Sequence, residues 1–268
     1  MSDNLADWEI VRFHDGGATK EVSSVAEEYP ITIIINGKEF ATMVCSPEHV
    51  EELIVGFLAS EGVIFQYKAI QQLTVDVVAG FAYLEIEKLP DTYQEDHSKR
   101  FIGSCCGKSR QFYFKNDVKT AKTIMSNLSL SCNQCLQLMT QLQQASNQFR
   151  QTGGVHNAAL ATVNDVQLIR TDIGRHNALD KLYGHMLMNQ TSVRDKVIVF
   201  SGRVSSEVLL KIAKMRISIL ISKSAPTKLA LELAEDLGIT VIGFVRKGAM
   251  NVYTHHDRVE EITYDKKR

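Results

Sequence analysis

The sequence predicts an α/β protein: a mixed sheet covered by helices, preceded by a smaller β-rich portion. Three observations predict it. From residue 166 onward, β-branched apolar runs alternate with helical patterns. The runs "VIVF", "ILIS" and "ITVIGFV" are almost wholly apolar, as strands covered on both faces are. The first half instead reads as strand pairs joined by Asn-Gly or Ala-Gly turns. The two portions are assigned to residues 1–116 and 117–268.

In chain order, Ile31–Ile35 and Glu39–Cys45 form a hairpin about Asn36-Gly37. Residues 46–62 form a helix, with Ser46 as its cap, Pro47 in the first turn and Gly62 as its stop. Val50, Leu53, Ile54, Phe57 and Leu58 make its apolar stripe. Residues 73–78 and 81–88 pair as strands across Ala79-Gly80. Residues 89–111 are polar and read as an exposed loop. A helix runs from Cys132 to about Phe149. Strands at 166–174, 196–202, 217–224 and 239–246 then alternate with helices at 175–188, 205–216 and 225–238. Such a series implies right-handed crossovers and one shared sheet.

Composition narrows the function. The 268 residues are 44% hydrophobic and 23% charged, with a net charge of −1. That is ordinary for a globular protein and gives no general attraction to nucleic acid or membrane. No apolar run approaches the roughly 18 residues of a membrane span. The opening "MSDNLADWEIVRFHDGG" is polar and acidic, unlike a signal peptide, so a cytoplasmic location is expected. Five cysteines are too few for a disulfide scaffold. Clustered in a reducing compartment, they point to reactivity or metal.

Polar residues gather where strands meet helices. His156 follows Gly153-Gly154; Asp172, Arg175 and His176 follow one strand; Ser201 and Arg203 follow the next. Ser222 ends a third strand, and Arg246, Lys247, Gly248 and Asn251 follow a fourth. In an open α/β sheet these carboxyl-end loops share one edge, where ligands bind. Small residues admit a ligand to backbone amides at helix starts, and arginines add phosphate affinity. Serine and aspartate here also read as helix caps, and the lone histidines as structural. Recurrence at successive strand ends favours an anionic, nucleotide-like ligand. Neither a P-loop nor a G-x-G-x-x-G is present.

The stretch "GSCCGKSR" sets Cys105 and Cys106 side by side between Gly103 and Gly107, with Lys108 and Arg110 following. An ordinary thiol is only a few per cent thiolate at neutral pH, and nearby cations raise that share. Adjacent Cα atoms lie about 3.8 Å apart, whereas a disulfide wants about 4.4–6.8 Å. A bond between the two would be strained, so a persulfide on one would not be readily expelled by the other. Cys45 reads as core. Cys132 and Cys135 share a helix face and read as buried residues, half a metal site or an auxiliary thiol pair.

Taken together, "GSCCGKSR", "GGVHNAALA", "DIGRHNALDKLYG", "SGRVSSEVLLKIAKM", "ISKSAPTKLALELAEDLGITVIGF" and "MNVYTH" resemble the FdhD family. The resemblance runs from the hairpin near residue 31 to the final motif. It implies a sulfurtransferase accessory to formate dehydrogenase, with a cytidine-deaminase-like fold. Such a protein takes persulfide sulfur from a cysteine desulfurase. It passes that sulfur to the bis-molybdopterin guanine dinucleotide molybdenum cofactor before insertion into formate dehydrogenase. GDP serves as an analogue of that cofactor, and a homodimer is expected. The family's cofactor-binding stretch matches Phe244, Val245, Arg246, Lys247, Gly248 and Ala249. Many members carry C-x-x-C at the reactive loop. Aligning on the leading serine matches Cys105 to the first family cysteine, and aligning on Gly107-Lys108 matches Cys106 to the second, so either is a candidate carrier.

A zinc deaminase needs a glutamate beside its histidine ligand and a downstream P-C-x-x-C. Asn157-Ala158 follows His156, and the one C-x-x-C precedes it, so no metal is expected. A non-catalytic nucleotide- or cofactor-binding chaperone is the alternative reading; it predicts that loss of Cys105 and Cys106 has no effect.

Overall fold

The computed structural model describes residues 5–89, 100–102 and 123–265. Its centre is a six-stranded mixed sheet. The strands are β8 (His156–Ala161), β9 (Val166–Asp172), β10 (Val197–Phe200), β11 (Ile219–Ser222), β12 (Thr240–Arg246) and β13 (Ala249–Val252), in the order β13-β12-β11-β10-β8-β9. β10, β11 and β12 run parallel, while β8 and β13 run antiparallel to their neighbours. Helices cover both faces, as expected. On one lie α4 (Arg175–Met188), α5 (Ser206–Lys214) and α6 (Lys228–Leu237), packed on Leu160, Ile198, Phe200, Leu220 and Val241. On the other, α2 (Cys132–Ala145) sets Cys135, Leu138, Met139 and Leu142 against Val197, Val199, Ile219, Ile221 and Ile242.

A second sheet of five strands precedes it: β3 (Tyr29–Ile35), β4 (Lys38–Cys45), β5 (Ile70–Asp76), β6 (Phe81–Ile86) and β7 (Arg100–Ile102), ordered β5-β6-β3-β4-β7. The hairpin turn falls at Asn36-Gly37, with φ of 49° and 76°. Ile31, Ile33 and Ile35 alternate inward onto α1 (Val50–Ser60). Helix α1 in turn packs on α4 through two glycines. A Cβ on Gly56 would lie 1.8 Å from the Asp180 carbonyl, and one on Gly184 would lie 1.8 Å from that of Glu52. The order through the molecule is thus sheet, α1, α4, sheet, α2.

Several expectations need correction. Ser46 does not cap α1, which starts at Val50 behind His49, a left-handed residue with φ 53°. Instead Ser46 is tied to the β9–α4 junction: its hydroxyl accepts from Ile173 N–H. β5 ends at Asp76, whose Oδ1 accepts from Ala79 N–H and fixes a turn where strand was expected. The single helix to Phe149 is two, α2 and α3 (Asn147–Thr152). Ser146 breaks it by turning its hydroxyl back onto the Leu142 carbonyl. β7 pairs within the segment read as a loop. The boundary expected at residues 116 and 117 lies outside the described residues.

Five further elements were missed, β8 and β13 among them. β1 (Leu5–His14) and β2 (Gly17–Ala26) form a separate ribbon, signalled by Asp15-Gly16 at its turn. α7 (Glu260–Asp265) follows a bridge between Leu130 and Val259.

Candidate functional site

Strand directions bring the polar residues to one edge of the six-stranded sheet. β9, β10, β11 and β12 end there, and β8 and β13 begin there. His156 pairs directly with Asp172 across β8 and β9. Ser201 N–H donates to the Asn157 carbonyl, and Asn157 N–H donates to Ser201 Oγ at 2.9 Å. Arg175 and His176 open α4 behind Gly174, which offers no side-chain cap. At the far strand, Lys247 and Gly248 form the β12–β13 turn and are exposed with Arg246 and Ala249. Phe244 sits in a bulge at φ 54°, its N–H donating to the Ser224 carbonyl, with the Arg246 guanidinium 5.3 Å from its ring centre. Arg203 is exposed in the turn leading to α5.

Four of the expected residues do not face this edge as free groups. Asp172 is fully buried and its carboxylate is saturated. Oδ2 takes Ser46 N–H at 3.0 Å and Lys181 Nζ at 2.7 Å; Oδ1 takes Gly174 N–H at 2.8 Å and Asn177 Nδ2 at 2.9 Å. Ser222 is buried, donating to the Gly202 carbonyl at 2.8 Å and accepting from Ser224 N–H. Val245 lies in the core beside α2, so only its backbone is at the edge. Asn251 lies two residues down β13, opposite Gly243, and donates to Tyr253 Oη. Asp180 is likewise engaged, by Ser60 Oγ and Lys211 Nζ. Cys105 and Cys106 lie outside the described residues.

What remains at the α4 end is a basic cluster with unmet hydrogen-bonding capacity. Arg175 Nε is buried and has no hydrogen-bond partner among the described residues. The Glu207 carboxylate stands 3.2 Å from His176 Nε2 and engages that ring. Burial, then Arg175 and His176, push His156 below its ordinary pKa, against the pull of Asp172. Burial pushes His176 down too, with Lys211 and Arg175 adding to it and Glu207 opposing. Both rings are therefore neutral near pH 7. Gly202 keeps the cradle open, since a Cβ there would strike the Phe200 ring at 2.7 Å and crowd Arg175 at 3.2 Å. An uncapped helix start, an orphaned guanidinium nitrogen and nearby exposed arginines suit an anion.

The family model described as FdhD/NarQ matches residues 26–260. The chain belongs to the FdhD/NarQ family. The β1–β2 ribbon, except for its last residue Ala26, lies before the matched FdhD/NarQ span. Two relatives are named sulfur carrier protein FdhD. The protein of Bacillus subtilis is 57% identical over 94% of this chain and 97% of its own. That of Geobacillus kaustophilus is 56% identical over 93% and 95%. A crystal structure described as a putative formate dehydrogenase accessory protein, from Desulfotalea psychrophila, superposes with a TM-score of 0.77 at 25% identity. It covers 95% of this chain and 99% of that one.

Among the described residues, no group of three or more His, Cys, Asp or Glu is placed to hold a metal. No helix among them is long and apolar enough to cross a membrane. Cys45 is buried in the first core, as expected, its thiol pushed up to about 12 by burial and Asp172. Sequence reasoning missed Lys181 and Asn177 as the partners that hold Asp172. The signal was their spacing on α4, where residues 174, 177 and 181 share a face.

Proposed function

We propose that this chain is a sulfurtransferase that carries sulfur as a cysteine persulfide. It takes sulfur from a cysteine desulfurase onto Cys105 or Cys106. It delivers that sulfur to the bis-molybdopterin guanine dinucleotide molybdenum cofactor, ahead of its insertion into formate dehydrogenase. The cofactor is cargo and substrate, held at the carboxyl edge of the six-stranded sheet. In the same reading that sheet is cytidine-deaminase-like, and the protein acts as a homodimer in the cytoplasm.

The observation that carries this proposal is the buried Arg175 Nε, without a hydrogen-bond partner among the described residues, at the cradle beside Gly202. A buried donor without an acceptor costs about 1–3 kcal/mol, which an incoming phosphate oxygen would recover. Arg203 and Arg246 would meet further phosphate charge, and the backbone from Phe244 to Ala249 would border the ligand. A guanine's N–H donors would have to find acceptors other than Asp172 and Asp180, whose oxygens are already engaged. The relatives named sulfur carriers support the sulfur chemistry.

The test is mass spectrometry of the full chain after incubation with a desulfurase and cysteine, comparing Cys105→Ala, Cys106→Ala and the double variant. One single variant should lose most of the added sulfur and the double variant all of it. Full sulfur loading of the double variant would overturn Cys105 and Cys106 as the carriers, and no loading of the wild type would favour a non-catalytic chaperone. In parallel, Arg203→Ala and Arg246→Ala should each weaken GDP binding by about 1.5–3 kcal/mol.

A further inference from the structure

Cys132 and Cys135 occupy the first turn of α2, away from the sheet edge just described. Ser131 and Gln134 form a capping box that fixes where the helix starts. Cys132 is partly exposed, whereas Cys135, one turn in, is fully buried. In a regular helix, Cα atoms three residues apart are about 5 Å from each other, within the roughly 4.4–6.8 Å of a disulfide. Their Cβ atoms sit about 5–6 Å apart, so closure requires the first turn to tighten, as helix ends commonly do.

A helix start usually favours a thiolate. Here Glu261 of α7 opposes that tendency. Both of its carboxylate oxygens accept from Cys132 N–H, at 2.9 and 3.0 Å. Burial raises the Cys132 thiol pKa, and Glu261 raises it further through a hydrogen bond and its charge. Cys135 is pushed up to about 12, by burial first and then by Cys132 and Glu261. The arrangement has an outer thiol at a helix start, a buried thiol one turn later, and a carboxylate clamped onto the outer one.

We infer that Cys132 and Cys135 are a second, guarded dithiol that closes by exchange with a low-molecular-weight disulfide, and that Glu261 slows this exchange. Cys132 Sγ, as thiolate, attacks one sulfur of the small disulfide. An S–S bond forms to Cys132 and the other sulfur departs as a thiolate. Cys135 then loses its proton to solvent and attacks Cys132 Sγ, closing the protein disulfide and releasing a second small thiolate. The two cysteines are oxidised by two electrons, and one small disulfide is reduced to two thiols. This chemistry requires neither Cys105 nor Cys106.

The experiment exposes the full-length protein to glutathione disulfide, quenches with acid and maps each cysteine by peptide mass spectrometry. Wild type should accumulate a Cys132–Cys135 disulfide. Cys135→Ser should stop at a glutathione adduct on Cys132. Glu261→Gln, which keeps an acceptor for Cys132 N–H, should move the pH profile of Cys132 alkylation to lower pH. It should also speed closure by about threefold per unit of lowered pKa, because thiolate rises tenfold while nucleophilicity falls about threefold. Free Cys132 and Cys135 at equilibrium with excess glutathione disulfide would overturn the dithiol. An unchanged rate and pH profile in a folded Glu261→Gln protein would overturn the guard. Should that variant not fold, wild type decides: Cys132 must alkylate more slowly than a free-thiol peptide at neutral pH, and equal rates sink the guard.

Discussion

Asp172 and Lys181 are both fully buried, and each makes sense only with the other. The carboxylate gathers donors from Ser46, Gly174, Asn177 and Lys181, while Lys181 also donates to the Ser46 and Thr171 carbonyls. Together they pin the start of β9's outgoing turn to the segment before α1. Lys181→Met should leave the carboxylate buried without its counter-charge and cost about 3–5 kcal/mol in urea unfolding. Asp172→Asn in that background should recover much of the loss, and an additive double variant would contradict the pairing. The site histidines give a pH dependence. Both are held below the ordinary pKa near 6.5, so the unfolded chain takes up protons first and stability falls as pH drops through that value. Bound phosphate would raise both, so the complex would hold more protons than the free protein. GDP binding is therefore expected to tighten as pH falls towards and below about 6.5. In a His156→Ala, His176→Ala double variant, calorimetry should show a flatter profile.

Two helices meet closely enough to make their elements one structure. Gly56 of α1 and Gly184 of α4 each stand against the other helix's backbone, where no Cβ fits. Beside this contact, Arg170 of β9 holds Glu52 of α1 through Nη2 at 2.7 Å, and His185 Nδ1 lies 2.9 Å from the same carboxylate. Burial alone would raise the Glu52 pKa, but bonds from Arg170 and His185 bring it below the ordinary carboxylate value. Gly184→Ala should force α1 and α4 apart and cost on the order of 3 kcal/mol, read by thermal or denaturant unfolding. A near-neutral effect would mean that the two helices separate readily. The apolar stripe on α1 was legible in sequence because it repeats at helical spacing. Its start was not, since Ser46 and Pro47 carry cap chemistry while the Ser46 hydroxyl is claimed by β9's outgoing turn.

At the scale of the whole molecule, local sequence determined the alternating strands and helices of residues 166–246 and the clustering of polar residues at strand ends. Strong periodicity and turn chemistry act over a few residues, so β9 to β12 and α4 to α6 could be read directly. The hairpin at Asn36-Gly37 was legible for the same reason. β8 and β13 were missed as strands because short runs such as "HNAALA" and "AMNV" carry little β-branched signal; pairing with neighbours makes them strands. Tertiary structure decided which polar residues are free to meet a ligand. Asp172, Ser222 and Asp180 have the right chemistry, but partners outside their own elements, among them Ser46 and Ser60, consume their hydrogen bonds. Arg175 keeps a buried nitrogen without a partner among the described residues. That distinction depends on how two sheets and two crossing helices close around each side chain, with the Ser46–Asp172 and Ser60–Asp180 contacts joining residues more than a hundred positions apart, which local sequence does not encode.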